Sequence, residues 1–92
     1  MTKDKQEFEW DRRKEILNLD KHGVSFTSAK DAFSDPFHVI IEDAGHSSIE
    51  KRYYCLGMVA GKIMTVRFTF RKESIRIVGA AYWREGKKEY EK

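Results

Sequence analysis

The 92-residue sequence has one cysteine, one proline and no long apolar run. Cys55 alone cannot form an internal disulfide or a zinc site of several thiolates. No apolar stretch approaches the roughly 20 residues that a membrane-spanning helix needs. The polar segment 1–7 has no apolar core of the kind found in secretory signals. We therefore expect a reduced, cytoplasmic protein with no metal, no cofactor and no membrane partner.

The length predicts one domain over residues 1–92, because a domain usually has roughly 100–200 residues. Charge is distributed unevenly along the chain. Residues 1–61 contain 9 Lys/Arg and 11 Asp/Glu, whereas residues 62–92 contain 9 and 4. A basic half of this kind favours an anionic partner such as nucleic acid, and a solvated surface without a partner is the alternative.

The apolar periodicity changes from 3.6 to 2 residues after Asp35-Pro36, which predicts helices before this point and strands after it. Asp11 and Gly23 are suited to cap a helix over residues 12–22, and a shorter helix follows Ser25. Strands are predicted over residues 7–10, 37–42, 51–59, 62–70 and 74–82, and a short helix over 84–92. This order predicts an α+β fold, in which an antiparallel meander carries both N-terminal helices on one face.

Two-residue turns at 60–61 and 72–73 would align three strands and bring polar side chains onto one face of the sheet. The polar ones are Arg52, Tyr54, Arg67, Thr69, Arg71, Arg76 and Tyr82, and the apolar Leu56 and Val78 lie among them. Among them, Arg52, Thr69 and Arg76 would form one row, and Tyr54, Arg67 and Val78 the next. Arginine binds phosphate through paired hydrogen bonds and tyrosine stacks on unpaired bases. The face therefore predicts binding of single-stranded RNA, with an ordinary solvated sheet face as the alternative.

Several short motifs extend along residues 8–91. They include Phe8-Glu9-Trp10-Asp11, Lys21-His22-Gly23-Val24-Ser25-Phe26, Asp35-Pro36, Arg76-Ile77, Gly79-Ala80, Tyr82-Trp83-Arg84 and Tyr90-Glu91. In combination they resemble the BrnT toxins of bacterial type II toxin–antitoxin pairs. One difference is Ala81, which stands where many members carry an arginine.

The resemblance implies a RelE-like fold and metal-independent cleavage of RNA in the bacterial cytoplasm, which inhibits translation and growth. It also implies neutralisation by a BrnA-like antitoxin, a ribbon–helix–helix protein. The pair would repress its own operon, so operator DNA would be contacted only through the antitoxin.

Cleavage of RNA without a metal requires activation of the ribose 2′-hydroxyl, stabilisation of charge on the phosphate and protonation of the leaving 5′-oxygen. The candidates for charge stabilisation are Arg52, Arg67, Arg71 and Arg76. The candidates for proton transfer are His22, His46, Lys21, Glu50 and Tyr90, with the histidines preferred because this residue type titrates nearest to neutral pH. The candidates for RNA binding are Tyr54, Thr69, Tyr82 and Arg84.

Other interpretations remain open. His22 also suits a structural role at the end of its helix, where positive charge is favourable. Cys55 is expected in the core as a small apolar residue. At the level of the whole protein, the alternatives are a non-catalytic antitoxin-binding co-repressor and a basic nucleic-acid-binding module that has no antitoxin.

Overall fold

A computed structural model describes residues 6–46 and 49–92, except for the side chain of His46. The strands are β1 (Glu7–Trp10), β2 (Val39–Glu42), β3 (Tyr53–Val59), β4 (Lys62–Arg71) and β5 (Ser74–Ala81). The helices are α1 (Arg12–His22), α2 (Phe26–Ala29) and α3 (Arg84–Tyr90), with 3₁₀ helices at Lys30–Ser34 and Ala44–His46. Within this part of the chain, no helix is long and apolar enough to cross a bilayer.

The helix termini form through local hydrogen bonds. Asp11 caps α1 by accepting from the Arg13 N–H at 2.8 Å, and Gly23 ends it with a φ of 69°. The carboxylate of Glu15 accepts from the Trp10 indole N–H and from the Phe26 N–H at the start of α2. These contacts confirm the predicted bounds of α1. They also connect β1, α1 and α2.

The sheet has the strand order β1-β5-β4-β3-β2. Strands β2 to β5 form the expected antiparallel meander, but β1 pairs with β5 in parallel, from Glu7 opposite Ser74 to Trp10 opposite Ile77. The sheet is therefore mixed, and the prediction of a wholly antiparallel meander was wrong. The meander leaves only the outer edges of β2 and β5 for β1 to join. No tight turn sets the direction of β1, because it is far from β5 in the chain.

The helix arrangement also differs from the prediction, which placed both N-terminal helices on one face of the sheet. Residues of α2 and the following 3₁₀ helix, including Phe26, Ala29 and Ala32, join the core on one face. Helix α3 packs on the opposite face, where Gly86 lies against Thr65 and Leu56. Helix α1 lies beside β5.

Strand β5 contains a bulge, which shifts the predicted register near its centre. Thr69 lies opposite Arg76 as predicted, but Arg67 lies opposite Gly79 and not opposite Val78. One extra residue in β5 shifts the alternation of its side chains by one position. Ala81, and not Tyr82, therefore follows Gly79 on the face of Arg67. The predicted pairing of Tyr54 with Arg67 is confirmed.

Asn18 holds α1 against β5 through a buried side-chain amide. Its Oδ1 accepts from the Ala80 N–H at 3.1 Å, and its Nδ2 donates to the carbonyl oxygens of Ala80 and Val24, each at 2.9 Å. Strand β1 ends at Trp10, opposite Ile77, so it does not reach Ala80. The amide thus supplies both hydrogen bonds that a neighbouring strand would give Ala80.

We predict that Asn18→Ala lowers the free energy of unfolding by about 3 kcal/mol, because it leaves three buried backbone groups without a partner. Urea denaturation measures this change. Asp20→Ala, at an exposed position of the same helix, is the control and changes stability by at most about 0.5 kcal/mol. An equal effect of both substitutions would contradict the role of the amide.

Candidate functional site

A cleft of about 650 Å³ opens on the face of the sheet that carries α3. Its lining consists of one residue of β2, two each of β3 and β4, and four at the start of and along α3. These are Ile41, Tyr54, Leu56, Thr65, Arg67, Trp83, Glu85, Gly86 and Glu89. The cleft therefore combines aromatic rings, one guanidinium and two carboxylates.

The register of strands β2, β3 and β4 determines which side chains form the floor of the cleft. Ile41 lies opposite Tyr54, and Tyr54 lies opposite Arg67. Opposed residues of antiparallel strands project from the same face, so these three side chains form a row across the sheet. The row ends at Gly79, which has no side chain to cover Arg67.

Arg67 differs from the other candidate arginines in its partners. Arg71 forms an ion pair with Glu50 at 3.6 Å, Arg76 forms one with Glu9 at 2.9 Å, and Arg52 has an interaction partner within the chain. Arg67 is half-buried, and across residues 6–46 and 49–92 its guanidinium has neither a hydrogen bond nor an ion pair. Its five N–H donors are therefore available to an anion in the cleft.

Tyr54 presents a fixed ring beside Arg67. Burial raises the pKa of Tyr54, and a hydrogen bond to Asp43 raises it further. The phenol therefore stays neutral at physiological pH, and its hydroxyl is held by the Asp43 side chain. A neutral, immobilised ring is a suitable surface for base stacking.

The C-terminal end of α1 lies beside the cleft, in contact with Trp83. The ring of His22 contacts the Trp83 indole edge to face, with the centroids 5.4 Å apart. His22 therefore lies at the rim of the cleft, and Lys21, also exposed in the last turn of α1, precedes it in the chain. Our sequence analysis did not assign Trp83 to the site, although its place between Tyr82 and Arg84 was a usable signal.

The carboxylates of Glu85 and Glu89 were also missed. They are four residues apart, a spacing that puts both on one side of a helix. Glu89 forms an ion pair with Lys92 at 3.2 Å. Within the described part of the chain, no group of three or more His, Cys, Asp or Glu side chains is placed to hold a metal ion.

Several predicted site residues lie outside the cleft. Thr69 is buried and its hydroxyl donates to the Lys51 carbonyl at 2.6 Å, so the row of Arg52, Thr69 and Arg76 does not line the cleft. The side chain of His46 lies outside the described residues. Their roles in RNA binding and cleavage stay predictions.

Tyr82 and Arg84 line a second cleft, of about 750 Å³, together with Lys62 and Lys87. The Tyr82 hydroxyl donates to the Val59 carbonyl at 3.3 Å. Tyr82 was expected on the same face of the sheet as Arg67, but the bulge in β5 shifts the alternation, so that Ala81 takes that face. Because Trp83 lines both clefts, the two are neighbours.

Cys55 lies in the core, as predicted. Burial, with a smaller effect of Asp35, raises the pKa of its thiol to about 12. The thiol is therefore protonated at physiological pH and a poor nucleophile, which supports a packing role.

Asp35 anchors the far end of α3. Its Oδ2 accepts from the Tyr90 hydroxyl and from the Met58 N–H, and its Oδ1 accepts from the Phe37 N–H. The hydrogen bond from Tyr90 is the largest cause that lowers the pKa of Asp35 below its usual 3.8, followed by the two backbone donors. This contact holds one wall of the cleft, because Glu85 and Glu89 lie on α3.

We predict that Tyr90→Phe raises the pKa of folded Asp35 toward 3.8. The lowered pKa stabilises the folded protein above the unfolded value, and this contribution is lost as pH falls through the folded pKa. Tyr90→Phe should therefore lose less stability on acidification than the wild type does. Carbon-detected NMR titration of the Asp35 carboxyl measures the first effect and urea denaturation between about pH 2 and 6 the second.

Tyr82→Phe is the matched control, because the Tyr82 hydroxyl bonds to Val59 and not to Asp35. The interpretation fails if Tyr90→Phe leaves the Asp35 pKa unchanged.

Comparison with known proteins identifies the family and the fold. Residues 10–87 match the sequence profile of a family described as the ribonuclease toxin BrnT of type II toxin–antitoxin systems. The 1.1 Å crystal structure of the Brucella abortus ribonuclease toxin BrnT is similar, with a TM-score of 0.66 and 18% sequence identity over 86% of this chain and 97% of that one. This similarity shows a shared fold. A comparison with curated proteins finds no match.

Proposed function

This chain belongs to the BrnT family of ribonuclease toxins of type II toxin–antitoxin systems, and we propose that it cleaves RNA in the cleft between the sheet and α3. The observation that carries the proposal is Arg67, half-buried beside Tyr54 and without an ion pair in the described part of the chain. Guanidinium groups bind phosphate, and aromatic rings bind unpaired bases. The cleft thus offers both kinds of contact that single-stranded RNA needs.

In the proposed reaction, the ribose 2′-oxygen attacks the adjacent phosphorus and the bond from phosphorus to the 5′-oxygen breaks. The products are a 2′,3′-cyclic phosphate and a free 5′-hydroxyl. Arg67 stabilises the negative charge that builds on the non-bridging oxygens. His22 at the rim transfers a proton, Lys21 adds positive charge, and His46 is the second candidate for proton transfer. Arginine and histidine together supply these functions without a metal.

The remaining candidates are proposed to bind RNA beyond the cleft. The ion pairs of Arg71 and Arg76 are partly exposed, and exposed pairs contribute only about 0–1 kcal/mol. Phosphates can therefore replace Glu50 and Glu9, and Arg52 would extend the same track. Thr69 is proposed to contribute indirectly to RNA binding, because its hydroxyl holds the backbone at Lys51 through a hydrogen bond. Tyr82 and Arg84 would contact RNA in the second cleft.

The proposed partner is a BrnA-like ribbon–helix–helix antitoxin that neutralises the toxin by covering the cleft. The Arg67 guanidinium repels like charges, so the segment that covers it should be acidic or apolar. Operator DNA would be bound through the antitoxin.

A non-catalytic co-repressor is the second candidate function. Ala81 lies opposite Thr65, on the face of Arg67. This is the position where many members of the family carry an arginine. The chain therefore has one positive charge fewer on this face of the sheet than such members, which favours weaker stabilisation of the reacting phosphate.

We predict that expression of this chain alone stops growth and that Arg67→Ala restores it. Loss of a group that stabilises transition-state charge should slow RNA cleavage about 10²–10³-fold. Cleavage of RNA by the purified protein measures this, and urea denaturation checks that the variant is folded. Arg12→Ala, at an exposed position of α1, is the control and should stay toxic.

Full activity of folded Arg67→Ala would exclude the cleft as the active centre. Normal growth and intact RNA at confirmed expression of the wild type would favour the co-repressor. Cleavage that continues in EDTA would support the metal-independent mechanism, and loss of cleavage in EDTA would contradict it.

We predict that the antitoxin and RNA compete for the same face. Arg67→Glu should weaken antitoxin binding at least about tenfold, because it repels an acidic covering segment. Isothermal titration calorimetry measures the affinity. Arg12→Glu makes the same charge change away from the cleft and should leave the affinity unchanged. An equal loss for both variants would indicate a general effect of net charge.

A further inference from the structure

We propose that the cleft is a base-recognition site that selects guanine, read by the carboxylate of Glu85. This inference rests on the proposed function of the cleft as an RNA site. The inference identifies the base that the cleft binds. Phosphate binding by Arg67 does not select among bases.

The carboxylates in the lining are unexpected for an RNA site. Glu85 and Glu89 line the same cleft as Arg67, yet negative charge repels the phosphates of RNA. Hydrogen-bond donors on the ligand can offset this cost, because an ionised carboxylate is purely an acceptor. Glu89 already forms an ion pair with Lys92, whereas Glu85 has none among residues 6–46 and 49–92. Glu85 is therefore the freer acceptor.

Among RNA bases, guanine matches a carboxylate best. Its Watson–Crick edge presents N1–H and the N2 amino group side by side, so two donors meet the two carboxylate oxygens. Adenine and cytosine each present one amino group beside an acceptor nitrogen, and uracil presents one N–H between two carbonyls. The ring of any base can stack on Tyr54 or Trp83, so discrimination falls to the polar groups.

Thr65 closes the bottom of the cleft under α3 and is not a contact to the RNA base. It is only 4% exposed, and its Oγ1 has no hydrogen-bond partner in the described part of the chain. Buried hydroxyls are almost always paired, because an unpaired one costs free energy. Thr65 lies in the cleft lining beneath Gly86, where a Cβ would collide with its Oγ1. The hydroxyl is therefore covered by α3, and recognition of the base rests on Glu85, Arg67 and the aromatic rings of the lining.

The test is the binding of guanosine, adenosine, cytidine and uridine 3′-monophosphates to the full chain. The protein has two tryptophans, so NMR shows two indole N–H signals. The Trp83 signal, assigned with Trp83→Phe, should shift on binding. The Trp10 indole, which donates to Glu15, is the internal control. We expect guanosine monophosphate to bind at least about tenfold more tightly than the other three.

Glu85→Gln should remove most of this preference while adenosine monophosphate binding stays unchanged. Glu73→Gln, at an exposed position of the β4–β5 turn, makes the same charge change and should leave all four affinities as they are. Loss of the preference in Glu89→Gln but not in Glu85→Gln would overturn the assignment of Glu85.

The binding measurement separates this inference from the proposed function, because it needs no cleavage. Guanine preference in a protein that does not cleave RNA would support the inference and contradict the proposed function. Cleavage of RNA together with equal binding of all four nucleotides would support the proposed function and contradict the inference. If no nucleotide shifts the Trp83 signal, the inference is wrong.

Discussion

The hydrogen bonds between the Asn18 amide and the Ala80 backbone are the contact on which the arrangement of the site depends. They close the edge of β5 where β1 ends, and they set the position of α1 along the sheet. His22 lies one helical turn after Asn18, so the same contact brings its ring to Trp83. The Asn18 side chain thus makes the hydrogen bonds that a neighbouring strand would make. By fixing α1 on β5, it also places the end of α1 beside the cleft.

The second constraint is the packing of α3. Gly86 allows the helix to lie directly on Thr65 and Leu56, and Asp35 holds its other end through Tyr90. The helix converts an open sheet face into a cleft and places two carboxylates along it. Close packing at Gly86 leaves the Thr65 hydroxyl buried without a protein partner. The same contact therefore builds the cleft wall and closes the lining beneath α3.

Positive charge by itself does not define the site. Arg71 and Arg76 are each beside a glutamate, and Arg52 also interacts within the chain. Arg67 stands apart because no carboxylate of the described residues neutralises it and because strands and α3 partly enclose it. Partial enclosure strengthens a charge by excluding water, so the half-buried Arg67 without an ion pair can matter more than Arg71 and Arg76, which glutamates already neutralise.

The sequence alone determined features that depend on neighbouring residues. Asp11 and Gly23 set the bounds of α1, and turn residues with alternating apolar side chains set the pairing of β3 with β4. Its short motifs also identified the family. Only the tertiary structure decided the parallel pairing of β1, the bulge in β5 and the face on which α3 packs. These features depend on contacts between distant segments, which local periodicity does not encode. For that reason the sequence placed Arg67 beside Tyr54, but the structure showed which arginine is unpaired and that Trp83, Glu85 and Thr65 surround it.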